Sequence, residues 1–127
     1  MNGVHHLAFR TRRLDALTDF YRDVFGLAVV QSAPDRVWLD LGGGAVLMLE
    51  AALPDEPEVP TGSMEFVAFG TDADGVEALA RRCTARGVAV EHRSAWTVYV
   101  RDPDGRRVGA SCYPFPASGQ GRNGQED

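Results

Sequence analysis

Residues 6–9 read HLAF and residues 66–69 read FVAF, an offset of 60. The stretch GLAV at 26–29 recurs as GVAV at 87–90, VWL at 37–39 as VYV at 98–100, and Gly44 as Gly105, all at an offset of 61. A duplication constrains a fold more tightly than composition can, because each copy must be a structural unit with the same pattern of buried faces. A unit this small has one sheet face to bury against one helix, and its other face is left open. Two units side by side can curl those open faces into a shared cleft.

Within the first copy, GVHHLAFRT (3–11) alternates as a strand, with Leu7 and Phe9 on one face. Leu14, Leu17, Phe20 or Tyr21, Val24 and Phe25 recur at helical spacing through 13–27, and Gly26 stands where a helix C-cap belongs. LAVVQ (27–31), RVWLDL (36–41) and AVLMLE (45–50) read as strands, the last two joined by a glycine turn. Residues 51–62 hold three prolines and three acids and read as a linker. The order then repeats: strand 63–71, helix 72–87 ending at Gly87, strands 88–92 and 96–102, a turn at 103–105 and a last strand 106–113. Residues 114–127 lack periodicity and read as a disordered tail.

With 44% apolar residues the chain can build a core. It has neither an apolar run near the roughly 18 residues of a membrane span nor a signal-peptide layout, so a soluble cytoplasmic protein is expected. The net charge of −5 argues against a nucleic-acid surface, which needs a basic face. All 13 basic residues are arginine. Cys83 and Cys112 fall at core-facing positions and read as buried, reduced thiols.

HHLAFR, FYRDVFGL, FVAFGTDADGVEAL and VYVRDPDGRRV together resemble the vicinal oxygen chelate superfamily, which includes glyoxalase I, extradiol dioxygenases, fosfomycin-resistance thiol transferases and bleomycin-resistance proteins. The resemblance covers residues 4–113. It implies an α+β fold in one domain, 1–113, made of two βαβββ modules (3–50 and 63–113) that form a curved mixed sheet around a cleft, in a homodimer.

Strand alternation agrees with that architecture. Leu7, Phe9, Val37, Leu39, Leu41, Leu47, Leu49, Val67, Phe69, Val98, Val100, Val108 and Ala110 form an apolar set for the helix side. The opposite parity sends His6, Ala8, Arg10, Trp38, Asp40, Met48 and Glu50 to the cleft. From the second module it sends Phe66, Ala68, Tyr99, Arg101, Gly109, Ser111 and Tyr113.

The resemblance also implies a divalent metal held by the first and last strands of each module. The matching positions are His6, Phe66, Met48 and Gly109, so one of four can ligate a hard cation. A slip of one residue would bring in His5 and Glu65, but it would bury Arg10 against the helices. The expectation is therefore a cleft without metal or cofactor. Its walls are Trp38, Phe66, Tyr99, Tyr113 and Met48, and Arg10, Arg101, Asp40, Glu50 and Ser111 supply polar groups. Such a cleft suits an aromatic or amphipathic small molecule held without chemistry, as in drug sequestration or antibiotic resistance. Nucleic acid and membrane are not expected partners. The alternative is an enzyme of the superfamily, a lyase, isomerase or dioxygenase, with an atypical metal set or with His6 as general base beside Glu50 or Asp40. A third reading is an accessory subunit that holds a partner's peptide in the cleft.

Overall fold

The structure is a computed structural model, and it describes residues 1–116. The expected tail lies, from 117 to 127, outside the described residues. The elements are β1 (His6–Thr11), α1 (Leu14–Asp23), β2 (Val29–Ala33), β3 (Arg36–Gly42), β4 (Ala45–Ala51), β5 (Phe66–Gly70), α2 (Ala73–Ala85), β6 (Val90–Arg93), β7 (Thr97–Arg101) and β8 (Arg107–Ser111). They form two four-stranded sheets, ordered β1-β4-β3-β2 and β5-β8-β7-β6. In each sheet the first strand runs parallel to the last, and the other pairs are antiparallel. The βαβββ plan is thus built twice, in an α+β fold. No helix among the described residues is long and apolar enough to cross a membrane.

Both second strands begin two residues later than the sequence pattern suggests, and for the same reason. The Leu27 amide turns back to the Tyr21 carbonyl at 3.1 Å, and the Val88 amide to the Cys83 carbonyl at 2.9 Å, so both close a helix instead of entering a ladder. Gly26 and Gly87 make those corners at φ of 72° and 69°, a region that favours glycine. β5 begins at Phe66, not at Ser63. Its partner β8 starts at Arg107, and the Arg106 amide before it is held by Asp102, so Met64 and Glu65 have no ladder to join.

The helices start differently. Asp72 caps α2 by accepting from the Gly75 amide at 2.8 Å, whereas α1 has no side-chain cap bond at Arg13, whose amide donates to Thr11 Oγ1. Leu17, Phe20 and Tyr21 of α1 and Val76, Leu79 and Cys83 of α2 turn inward. They meet the strand positions assigned by alternation. Leu39, Leu47, Leu49, Val98, Val100 and Val108 are fully enclosed, and Leu7, Phe9, Leu41, Val67 and Phe69 pack against that core from its margin.

β1 and β5 stand at the edges of their sheets, and the modules join through side chains and backbone acceptors. Phe25 packs on Phe69 with ring centroids 5.4 Å apart. Arg82 of α2 donates to the carbonyls of Val24 and Phe25 at the end of α1. The centre of the seam is polar. Asp102 is 4% exposed, and its carboxylate accepts from the Tyr21 hydroxyl at 2.7 Å, from the Arg106 guanidinium at 3.2 Å, and from the amides of Asp104 and Arg106 at 2.9 and 3.0 Å. A buried carboxylate is tolerated only when it is paired and hydrogen-bonded in this way. Burial, and then the charge of Asp102, push the Tyr21 phenol well above its ordinary pKa, so it stays a donor.

Removing one side of this contact leaves a buried group without its partner. Asp102→Ala is expected to lower unfolding stability by about 2–4 kcal/mol and Tyr21→Phe by about 1–2 kcal/mol. Urea denaturation of both variants and the double variant measures this. Additive losses would mean that the two residues do not act as a pair.

Candidate functional site

Register decides which side chains share the open face of each sheet. In the first module His6, Val46 and Asp40 form one row across β1, β4 and β3. Ala8, Met48 and Trp38 form the next, and Arg10, Glu50 and Arg36 the third. Met48 and Trp38 are therefore cross-strand neighbours, and the Arg36 guanidinium lies 5.9 Å from the Trp38 ring. Arg10 is held by Glu50 at 3.4 Å and, more tightly, by Glu56 of the linker.

His6 does not meet either carboxylate proposed as its partner. Glu50 lies four residues along β4 from the register partner of His6, about 13 Å at the usual rise of a strand. Asp40 lies two strands away, and its carboxylate accepts from the Gly42 amide at 2.7 Å, capping the β3–β4 turn. The ring of His6 is exposed and shares a 2.9 Å hydrogen bond with that of His5.

The second module gathers more. Phe66 and Tyr99 stack with centroids 4.4 Å apart, and the edge-strand residue His92 lies 5.3 Å from Tyr99. The Arg107 guanidinium lies 4.4 Å from the Tyr99 ring centre and 5.6 Å from that of Phe66, an attractive cation–π arrangement. Glu91 bridges Arg107 at 2.8 Å and Arg101 at 2.5 Å, and hydrogen bonds first from Arg101 and then from Arg107 lower its pKa. Arg101 is also tied to the carbonyls of Ser63 and Gly105. Ser111 accepts from Thr97 at 2.7 Å, and Tyr113 groups with Trp96 and Phe115, its ring 4.8 Å from Phe115.

A groove of about 590 Å³ opens beside Phe66 and Arg107 where the modules meet. Phe9, Val67 and Val108 contribute to its floor, and Val59, Pro60 and Ser63 of the linker form one rim. Arg107 was absent from the sequence-based set, although it shares parity with Gly109 and Ser111 on β8. The linker residues had no periodic signal by which to find them. The linker itself is pinned to β1: Arg10 grips Glu56, Arg12 donates to the carbonyls of Pro54 and Glu56, and Glu56 accepts from the Leu53 amide at 3.0 Å.

A family model described as the glyoxalase/bleomycin resistance protein/dioxygenase superfamily matches residues 3–109. The chain belongs to this superfamily. Among solved structures it is similar to a lactoylglutathione lyase from Agrobacterium tumefaciens, with 29% identity and a TM-score of 0.66 over 89% of this chain and 95% of that one. A possible glyoxalase from Bacillus cereus (23% identity, TM-score 0.72, covering 88% and 100%) and the fosfomycin resistance protein FosX from Mesorhizobium loti (18%, 0.72, 90% and 94%) share the fold.

The superfamily's metal does not fit the donor set at the matching positions. The last-strand position is Gly109, where a Cβ would stand 1.9 Å from the Val98 carbonyl oxygen and 3.0 Å from the tip of the Phe66 ring. No side chain has room there, and Phe66 lies over the space. The paired position in the first module is the thioether of Met48, and among the described residues no three His, Cys, Asp or Glu side chains gather to hold an ion.

Because the obstruction at Gly109 is backbone, a rotamer change cannot relieve it. Gly109→Ala is expected to cost about 3 kcal/mol or more, read as a fall in thermal midpoint, and unchanged stability would contradict the close approach. The hydrogen bond from Arg10, followed by that of the Leu53 amide, lowers Glu56 from its ordinary 4.5 to about 2. A carboxyl with a depressed folded pKa stabilises above its unfolded value and loses that contribution as pH falls through the folded one. The linker clamp is therefore expected to be complete above about pH 4.5 and to open towards pH 2. Carboxyl NMR titration of Glu56 and hydrogen exchange at the Leu53 amide test this, and a midpoint near 4.5 would show that no clamp forms.

Proposed function

We propose that this chain is a small-molecule-binding protein of the superfamily that captures an aromatic or amphipathic compound without a metal. The observation that carries this reading is the exchange of ligands for rings. Where a last-strand carboxylate would project, Gly109 offers bare backbone, and Phe66 closes over it in a stack with Tyr99 and Arg107. Such a cluster joins aromatic rings to a charged group, the usual composition of a small-molecule site. Trp38 and Met48 offer a second apolar surface on the first module. Sequestration of a toxic compound, with antibiotic resistance as the outcome, is the role that fits binding without chemistry.

The likeness to a lactoylglutathione lyase supports the other reading, a lyase-type enzyme. That reading requires a metal set assembled from residues other than the matched four, or His6 acting alone as base.

Amide NMR of the labelled chain against a panel of polycyclic aromatic compounds is expected to show shifts at Phe66–Gly70, Thr97–Arg101 and Arg107–Ser111. Elemental analysis of untagged protein accompanies it. One equivalent of a divalent ion that is lost in His6→Ala, with no aromatic compound shifting those strands, would overturn the proposal in favour of the enzyme.

A further inference from the structure

The arginine at the mouth of the seam groove carries a statement about ligand charge, and it rests on the binding reading above. We propose that Arg107 selects an anionic aromatic compound, an arene bearing one carboxylate or sulfonate, with its rings in the groove between β5 and the linker and its anionic group on the guanidinium.

Three observations support this. The groove, about 590 Å³, lies within the usual range for a small-ligand site and has room for a bicyclic arene, with Phe9, Val59, Pro60 and Phe66 as apolar walls. The guanidinium carbon sits over the rings of Tyr99 and Phe66, 4.4 and 5.6 Å from their centres, and only its Nε is engaged, by Glu91. Its two terminal nitrogens donate to no acceptor among the described residues. A pre-oriented fork of this kind matches the two oxygens of a carboxylate, and its orientation is already set before binding. Finally, Glu91 is shared between Arg101 and Arg107, so the cluster keeps one uncompensated positive charge.

The other charges at the groove do not cancel it. Arg106 pairs with Asp102 and Asp104 at 3.2 and 2.9 Å, and Arg13 pairs with Asp104 at 2.9 Å, so these two acids are balanced by two arginines. Glu65 is the one carboxylate of the lining, and it is exposed, where solvent and salt screen it.

Two matched dyes test the proposal: 8-anilinonaphthalene-1-sulfonate, and N-phenyl-1-naphthylamine, the same rings without the sulfonate. Fluorescence titration of the full chain is expected to show the sulfonate binding about tenfold more tightly than the neutral dye. Arg107→Leu is expected to remove that difference and leave the neutral dye within about twofold of wild type, and Arg107→Lys to restore part of it. Glu91→Gln keeps an acceptor for the Arg107 Nε but removes the negative charge shared by Arg101 and Arg107, so it is expected to tighten sulfonate binding several-fold, a gain that a purely structural role for Arg107 would not give. Phe66→Ala is expected to weaken both dyes. A dye ratio unchanged by Arg107→Leu, or by Glu91→Gln should the leucine variant fail to fold, overturns charge selection while the aromatic face stands. Indifference of both dyes to Phe66→Ala overturns the binding reading itself, and charge selection with it.

Discussion

The two halves of this molecule depend on one buried carboxylate. Neither β1 nor β5 pairs with a strand of the other module, so the relative position of the sheets is set by what crosses the seam. Apolar contacts such as Phe25 on Phe69 supply area but little direction. Asp102 supplies direction: three of its four acceptor bonds fix the β7–β8 turn, and the fourth, from Tyr21, fixes that turn against α1. Two of the motifs that carry the resemblance, FYRDVFGL and the RDPDGRRV of the last stretch, thus meet in one hydrogen-bonded cluster. Their residue types follow from the geometry. A phenol reaches from a helix face with its hydroxyl still a donor, and a turn that folds its amides onto its first carboxylate leaves one oxygen facing outward.

Much of the fold was legible because duplication and alternation are independent signals that agree. Every position assigned to the helix side by parity lies in or against the core. The element types hold, and both second strands start late because an amide had a competing acceptor. Leu27 and Val88 look like strand residues because they are apolar, but their amides close helices. Met64 and Glu65 alternate correctly and still have no neighbouring strand to pair with. A periodicity argument cannot see either effect, since both depend on where a third segment stands.

The site was legible in part, for a different reason. Parity gives the face a side chain occupies but not its partner along that face. His6 and Glu50 do share a face, yet the register places them about 13 Å apart. Arg10 and Arg101 share it too and are consumed by Glu56 and Glu91, acids that come from the linker and an edge strand. The linker has no period to read, so the rim of the seam groove could not be assigned to any face.

Gly109 shows how one position can redirect a fold without rebuilding it. In most of a sheet a glycine is a loss, because it weakens the strand and packs nothing. Here its missing side chain lets the Val98 carbonyl approach and lets Phe66 lie down over β8. Once the ring is down, Tyr99 has a partner to stack on, and Arg107 has an aromatic surface to lie against. Glu91 then fixes the guanidinium from the edge strand. Each step needs the one before it: a ligating glutamate at 109 would lift the phenyl ring, and the arginine would lose its support. The last-strand position of this chain thus carries an aromatic–cationic stack where a side-chain carboxylate would have to stand.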